Sequence, residues 1–482
     1  MDEQREKVLE KGLTRRSFLK GAGTMGLAAL GPNLLLGSKV KAAQSPALRF
    51  AVIGVGDITQ VHYPWVKSGG HDVSILCDVD QRRLDPVNPM ISFPERSFPK
   101  GFPEAKRMVD YREVFAQHAD EFDAVICGSV DHHHFSVAEL ALKHGKPIYC
   151  EKPLCWSTEE GYRLQELSRK HRIPTQMGNQ GNSSNGWRYA DGYYRDGHLG
   201  DIVEVHGWLY YENAKGSIPV YNFPATADPV PEYLDWERWL GPAGDFPYMQ
   251  SNLHPGAWRW WLPFGGGVIG DWGCHVFGGI FKTLDHLGYP SKVEVIKATE
   301  FNGDKFPIGM TVKWHFDGKD GKPPVDMYFH TTIENDPAFY PPKPKEWDEN
   351  RAWPPSKDGC YWVGTEGTFV MHEGHNMYGA LVPEARRRKL GQPNLHFPLV
   401  KGNPSDLHGV EFVEAASGLR EWDDTISSFD YGANLSAIVQ MGNGALKAGH
   451  AVKIDPKTGW PVDKSDAKYF KRQNANKEWY SL

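Results

Sequence analysis

An apolar run ending at Ile53 leads straight into Gly54-Val55-Gly56-Asp57-Ile58-Thr59. Two glycines placed this way suit a dinucleotide-binding turn, the first for a tight bend and the second so that the backbone can approach a pyrophosphate. Thr59 stands where such a turn carries its third glycine or an alanine, so the fingerprint is partial. Asp78, about 20 residues on at the end of the next apolar run, supplies what the loop lacks. A carboxylate there accepts hydrogen bonds from ribose hydroxyls and repels a 2′-phosphate, which favours NAD over NADP. Arg82 and Arg83 pull the other way, and the plainer reading of Asp78 is a turn former at a strand end. Gly54, Gly56, Asp57, Ile58 and Asp78 are the cofactor candidates of this segment.

Asp271 and His275, four residues apart, fall on one helical face. That spacing serves an acid–base pair or two ligands of a metal site, and taken alone it is more often ordinary helix surface. His132-His133-His134 is not a metal motif, because consecutive side chains diverge whereas ligands on one element need spacings of two or four. The six cysteines show no CxxC pair and are expected to be small buried apolar residues with no disulfide demanded. No resident metal is expected.

These residues need elements to hold them. Short apolar runs at 50–53, 73–77, 124–127 and 148–150 alternate with helical periods, the pattern of a parallel sheet with crossover helices. Between the last two runs, Val137, Leu140, Ala141 and His144 mark one helix face, and Gly145 stops it. Residues 86–103, with five prolines, are expected to be a surface insertion. Beyond Thr175 the texture turns to Gly, Trp and Tyr, with an alternating stretch from Ile202 to Tyr211. The expected architecture is a doubly wound α/β Rossmann domain over 46–176, then an α+β domain over 177–475 with a large, mostly antiparallel open sheet. Residues 337–355 and 383–393 are expected on its surface.

A chain of 482 residues exceeds one ordinary domain, and a net charge of −6 gives no basic face for nucleic acid or anionic membranes. A small-molecule ligand fits better. Trp and Tyr, numbering 17 and 20, suit stacking on a saccharide, although core packing is the simpler use of them. The first 43 residues stand apart. Thr14-Arg15-Arg16-Ser17-Phe18-Leu19-Lys20 resembles the twin-arginine export motif, and the uncharged stretch after it is broken by Pro32 and too weakly apolar to span a bilayer. Periplasmic or otherwise exported placement follows, with no stable membrane span after cleavage.

Cys150-Glu151-Lys152-Pro153-Leu154 resembles the E-K-P signature of the Gfo/Idh/MocA oxidoreductases. Ser129-Val130-Asp131-His132-His133-His134, Trp258-Arg259-Trp260-Trp261 and Gly270-Asp271-Trp272-Gly273-Cys274-His275 resemble further motifs of that family. Leu234-Asp235-Trp236-Glu237-Arg238-Trp239-Leu240-Gly241-Pro242 and Ser428-Phe429-Asp430-Tyr431 are similar to its exported bacterial branch. The resemblance implies Lys152, Asp271 and His275 as catalytic residues, with His275 as base, Asp271 orienting its ring and Lys152 holding the substrate oxygen. It adds Ser129, Asp131, His134, Glu151, Lys152 and Asn179 to the cofactor set, and His254, Trp258 and Arg259 for substrate. Gly278 departs from it, standing where the family carries Asp. NAD as cofactor, a secondary hydroxyl of a sugar, sugar derivative or polyol as substrate, and an assembly of two or four copies are the expectations. A redox-neutral, NAD-dependent glycoside hydrolase is the alternative, and a secreted sugar-binding protein on the same fold is a third.

Overall fold

The computed structural model describes residues 46–210, 227–250, 253–332, 336–473 and 475–482. The export segment, residues 1–43, lies outside the described residues, as does Tyr211. Six strands, β1 (Arg49–Ile53), β2 (Asp72–Cys77), β3 (Lys106–Met108), β4 (Ala124–Cys127), β5 (Ile148–Cys150) and β6 (Thr175–Met177), form a sheet in the order β3-β2-β1-β4-β5-β6. Every neighbouring pair is parallel. This is the doubly wound order: the chain adds strands outward on one side of β1 and then, from β4, on the other, and such sheets open a crevice at the C-terminal ends of the strands at that switch point.

Both faces of this sheet are covered, which is why its strands read as unbroken apolar runs. Phe50 and Val52 of β1 pack with Trp65, Phe98 and Phe412, while Ala51 and Ile53 pack into the larger core with Val125 and Cys127. The alternation is the pleat of the strand. α1 (Asp131–Lys143) follows β4, and α2 (Thr158–His171) follows β5 behind a capping box of Ser157 and Glu160. Residues 86–103 depart from the surface expectation at one point. Phe98 and Phe102 are buried, and Gln60 Oε1 accepts the Phe98 N–H at 2.9 Å, which ties the insertion to the glycine loop.

Among the described residues the second sheet has nine strands: β7 (Ile202–Tyr210), β8 (Lys292–Ala298), β9 (Gly309–Phe316), β10 (Val325–Thr332), β11 (Asp358–Gly364), β12 (Thr368–Met371), β13 (Gly379–Val382), β14 (Val452–Asp455) and β15 (Trp460–Pro461). Their order is β13-β12-β11-β7-β10-β9-β8-β14-β15. Neighbours are antiparallel except β7 and β10. α3 (Gly267–Val276) carries Asp271 and His275, and α4 (Phe429–Ala448) is the long helix that fixes its place. Side chains at Gly161 of α2 and Gly273 of α3 would each reach within 2.8 Å of α4, at Ala437 and Val439. A Cβ on Gly442 of α4 would come within 2.7 Å of Trp314 on β9. Glycine on these faces lets one helix pack closely on the Rossmann unit, the site helix and the second sheet together.

The surface expectation holds for 383–393, whose helix Glu384–Leu390 buries nothing, but Trp347 in 337–355 is buried with Trp208 and Tyr361. Trp187, Trp208, Trp239 and Trp261 are core residues, the simpler of the two readings of the aromatics. All six cysteines are buried and free. No helix among the described residues is long and apolar enough to cross a membrane.

Candidate functional site

Gly54 adopts φ +79°, and a Cβ there would overlap the Ser129 backbone, so only glycine fits between β1 and β4. Thr59 explains the incomplete fingerprint. Its Oγ1 donates to Gly54 O at 2.6 Å and fills the space that a side chain on Gly128 would take, so a cross-link replaces the third glycine. Asp78 Oδ2 accepts the Val55 N–H at 2.7 Å and Oδ1 accepts the Asp80 N–H at 2.9 Å. Each oxygen keeps a lone pair for a ribose hydroxyl. Arg83 Nη1 stands 3.8 Å from Asp78, so the arginine is neutralised in part by the residue that selects against a 2′-phosphate. The carboxylate of Asp57 is committed elsewhere, accepting from Ser92 N and Oγ at 2.7 and 2.8 Å.

A cleft of about 250 Å³ opens here, lined by Gly54, Gly56, Asp57, Ile58, Asp78 and Ser129. Its opposite wall is His254, Trp258 and Arg259. These three, expected at substrate, line the same cleft as the glycine loop, where residues 228–250 and 253–259 form a strap held to the Rossmann unit. Leu234 makes a β-bridge with Asp80, Gln81 N donates to Tyr233 O at 2.9 Å, and Asp235 N donates to Val79 O at 3.0 Å. His254 Nε2 donates to Asp80 Oδ2 at 2.9 Å with both side chains buried, and Arg238 reaches Asp110 at 3.1 Å. Burial favours a neutral Asp80, but the hydrogen bonds from Arg82 and His254 outweigh it and hold the carboxyl well below the usual range.

Past the end of β5, Glu151 is buried and accepts from His62 Nε2 at 2.8 Å and Gln180 Nε2 at 3.0 Å. It therefore ties the end of β5 to the segment that follows the glycine loop. Lys152 Nζ donates to Asp271 Oδ1 at 2.7 Å and to Asp271 O at 2.8 Å. Burial would lower the Lys152 pKa, but Asp271 outweighs it and the ammonium is held above its ordinary value. Asp271 is pushed up by burial and pulled down further by Lys152 and Arg259, so the pair is charged. Arg259 Nε lies 3.7 Å from Asp271 and joins this pair to the cleft. Asp271 thus braces Lys152, where the sequence had it orienting His275.

His275 is buried, its Nδ1 has no hydrogen-bond partner, and burial, with His375 and Lys152 adding to it, pushes its pKa well down. Asn179 lies on the other side of Cys274, its Nδ2 donating to Cys274 O at 3.2 Å while its Oδ1 is buried without a partner. Buried polar atoms are ordinarily satisfied, so these two are groups a ligand would complete. Asp131 accepts the Gly266 N–H at 3.2 Å and is raised to about 6 by burial. His134 sits between Pro153 O at 2.7 Å and Ser129 O at 3.0 Å, bracing the strand ends. Its nitrogens are engaged there, although the ligand atoms of Cys127, His134 and Cys150 lie within 4.8 Å of one another. At Gly278 the missing Asp has a substitute, since Asn182 Oδ1 occupies the position of a side chain there.

Sequence reasoning missed His62, which only the fold brings to Glu151, and the pair Glu373 and His375. His375 Nδ1 donates to Glu373, and its ring lies 4.5 Å from that of His275. The signal was present as Glu373-Gly374-His375, an acid and a histidine around a turn glycine.

Residues 48–178 match the model described as oxidoreductase family, NAD-binding Rossmann fold, and residues 220–321 match that of the family's C-terminal alpha/beta domain. Inositol 2-dehydrogenase of Salmonella paratyphi B is 25% identical over 197 residues, 40% of this chain and 54% of that protein. The chain thus spans about half the length of the curated relatives it matches. In fold it is similar to the WlbA dehydrogenase from Bordetella pertussis in complex with NADH and UDP-GlcNAcA, with TM-score 0.56 and 13% identity over 85% of this chain and 99% of that one. It is similar also to aldose-aldose oxidoreductase from Caulobacter crescentus complexed with glycerol, with TM-score 0.53 and 15% identity over 85% of this chain and 100% of the other. With the glycine loop, Asp78 and the E-K-P lysine in place, the chain belongs to the Gfo/Idh/MocA oxidoreductase family, with an NAD-binding Rossmann domain at residues 48–178.

Proposed function

We propose that the protein is an NAD(H)-dependent oxidoreductase acting on a secondary hydroxyl of a sugar, sugar derivative or polyol. The carrying observation is the buried Lys152–Asp271 pair, joined through Arg259 to the cleft that Gly54 and Asp78 open. NAD, held by the glycine loop and Asp78, supplies the hydride acceptor. Lys152 holds the substrate oxygen and stabilises negative charge as the hydroxyl loses its proton, because its own proton is secured by Asp271. His275, neutral and with an unpartnered nitrogen, is placed to accept that proton. The relative named inositol 2-dehydrogenase supports a polyol or sugar as the substrate class.

A second reading, a glycoside hydrolase that oxidises, eliminates, adds water and returns the hydride, is favoured by the strap. A cofactor closed in by the Asp80–His254 pair suits chemistry that regenerates it in place. A panel of polyols, sugars and nitrophenyl glycosides separates the two. NADH formed in step with product supports the dehydrogenase, and aglycone release without net NADH supports the hydrolase. Binding of sugar with neither would overturn both and leave a binding protein. We place the action outside the cytoplasm on the strength of Arg15-Arg16, so replacing both with lysine should retain the protein in the cytoplasm.

A further inference from the structure

The site has one base too poorly equipped for its task. His275 is buried and no carboxylate among the described residues bonds to it, Asp271 being engaged by Lys152 and Arg259. What His275 lacks, His375 has. Glu373 accepts from His375 Nδ1 and from its backbone N–H at 3.0 Å, and the His375 side chain is 35% exposed. The loop that carries it is fixed from several sides. Asp358 Oδ1 accepts the Gly374 N–H at 2.7 Å, and Asn376 Nδ2 donates to His275 O at 2.9 Å, latching the loop to α3. Ser184 Oγ donates to Asn376 O at 2.8 Å. Asn376 itself is held at φ +57°, a conformation that persists in a non-glycine residue where surrounding contacts impose it. Trp272 stands edge-on to both histidines, with centroids 5.7 and 5.1 Å away. A carboxylate on Nδ1 fixes the tautomer and leaves Nε2 as the base, the division of labour found in acid–histidine pairs.

We infer that His375, oriented by Glu373, is a second proton-transfer group of this site, carrying the substrate's proton from His275 to water. The inference rests on the oxidoreductase reading. In the oxidation of a secondary alcohol, NAD held by the glycine loop and Asp78 would supply the acceptor for the carbinol hydride, and His275 takes the O–H proton as the carbonyl forms. The two ring centroids lie 4.5 Å apart, close enough for the proton to pass when a nitrogen of each ring turns toward the other, and the part-exposed His375 releases it to solvent. In the reverse direction the same groups deliver a proton to the nascent alkoxide. The charged and titratable groups facing His375 are Glu373, Asp358 and His275, with Lys152 acting on His275.

The test uses the full-length holoenzyme with His375→Ala and Glu373→Gln, on whichever substrate the wild type turns over. His375→Ala is expected to lower kcat by about 10²-fold, as loss of a proton-transfer group does, with KM little changed. Added imidazole should restore much of the rate, since the partly exposed pocket admits it. Glu373→Gln should lower kcat as well, because the amide no longer fixes the orientation of the His375 ring. Nitrogen NMR of the protein as isolated should show His375 protonated on Nδ1, and Glu373→Gln should abolish that preference. An unchanged rate in His375→Ala would overturn the inference, and so would a slow variant that imidazole does not rescue. Absence of wild-type turnover would instead strike down the oxidoreductase reading, and the inference with it.

Discussion

At the scale of single residues the site divides between groups that act locally and groups that the fold assembles. Gly54, Asp78 and Lys152 were legible because each is dictated by its own neighbourhood: a bend, a strand end, a short motif. His62 and Glu151 are 89 positions apart and His275 and His375 a hundred, and no local pattern announces such pairs. For the same reason the partner of Asp271 could not be read from its helical spacing to His275. Asp78 yields a direct prediction. Asp78→Ala removes charged hydrogen bonds to ribose worth about 1.5–3 kcal/mol, so NAD should bind about 10- to 150-fold more weakly. Arg83, released from its partner, should at the same time narrow the gap between NAD and NADP. Calorimetric titration of both nucleotides checks this, and unchanged NAD affinity would remove Asp78 from the cofactor site.

At the scale of elements the strap is the main addition to what the sequence showed. Its motif from Leu234 to Pro242 was visible, but its placement depends on the β-bridge to Asp80, on Asp235 N reaching Val79 O and on His254, contacts between remote segments. Breaking a buried hydrogen bond to a carboxylate acts mainly on dissociation, so Asp80→Asn should speed NAD release about 10- to 100-fold. Stopped-flow displacement of a fluorescent NAD analogue measures it. Release at the wild-type rate would show that the strap does not retain the cofactor. The parallel sheet was legible from runs buried on both faces, whereas the second sheet was legible only in kind. Its order depends on β7 pairing in parallel with β10 across more than a hundred residues, with the helices on one face set by glycines at helix contacts.

At the scale of the whole molecule, buried histidines couple stability to pH. His132 and His133 both bond to the Trp239 carbonyl, and burial pushes His132 well down and His133 to about 4. His408, bonded to Met177 O, is likewise lowered by burial to about 4. An unfolded histidine takes a proton near 6.5, well above the folded values of about 4 for His133 and His408. Between those values the unfolded chain binds more protons, so stability is greatest above pH about 6.5 and falls as pH drops toward 4. Scanning calorimetry should show Tm declining over that interval with proton uptake on unfolding. A flat Tm would contradict it. NAD-dependent oxidoreduction needs the cleft and Lys152 together. Its most direct test follows the absorbance of the nicotinamide on adding sugars and polyols to NAD-loaded wild type and to Lys152→Ala. A redox change is expected in the wild type, at least transiently, with a loss of about 10²- to 10³-fold in rate in the variant while NAD stays bound. Full turnover by Lys152→Ala, or a wild type that binds no NAD, would contradict it.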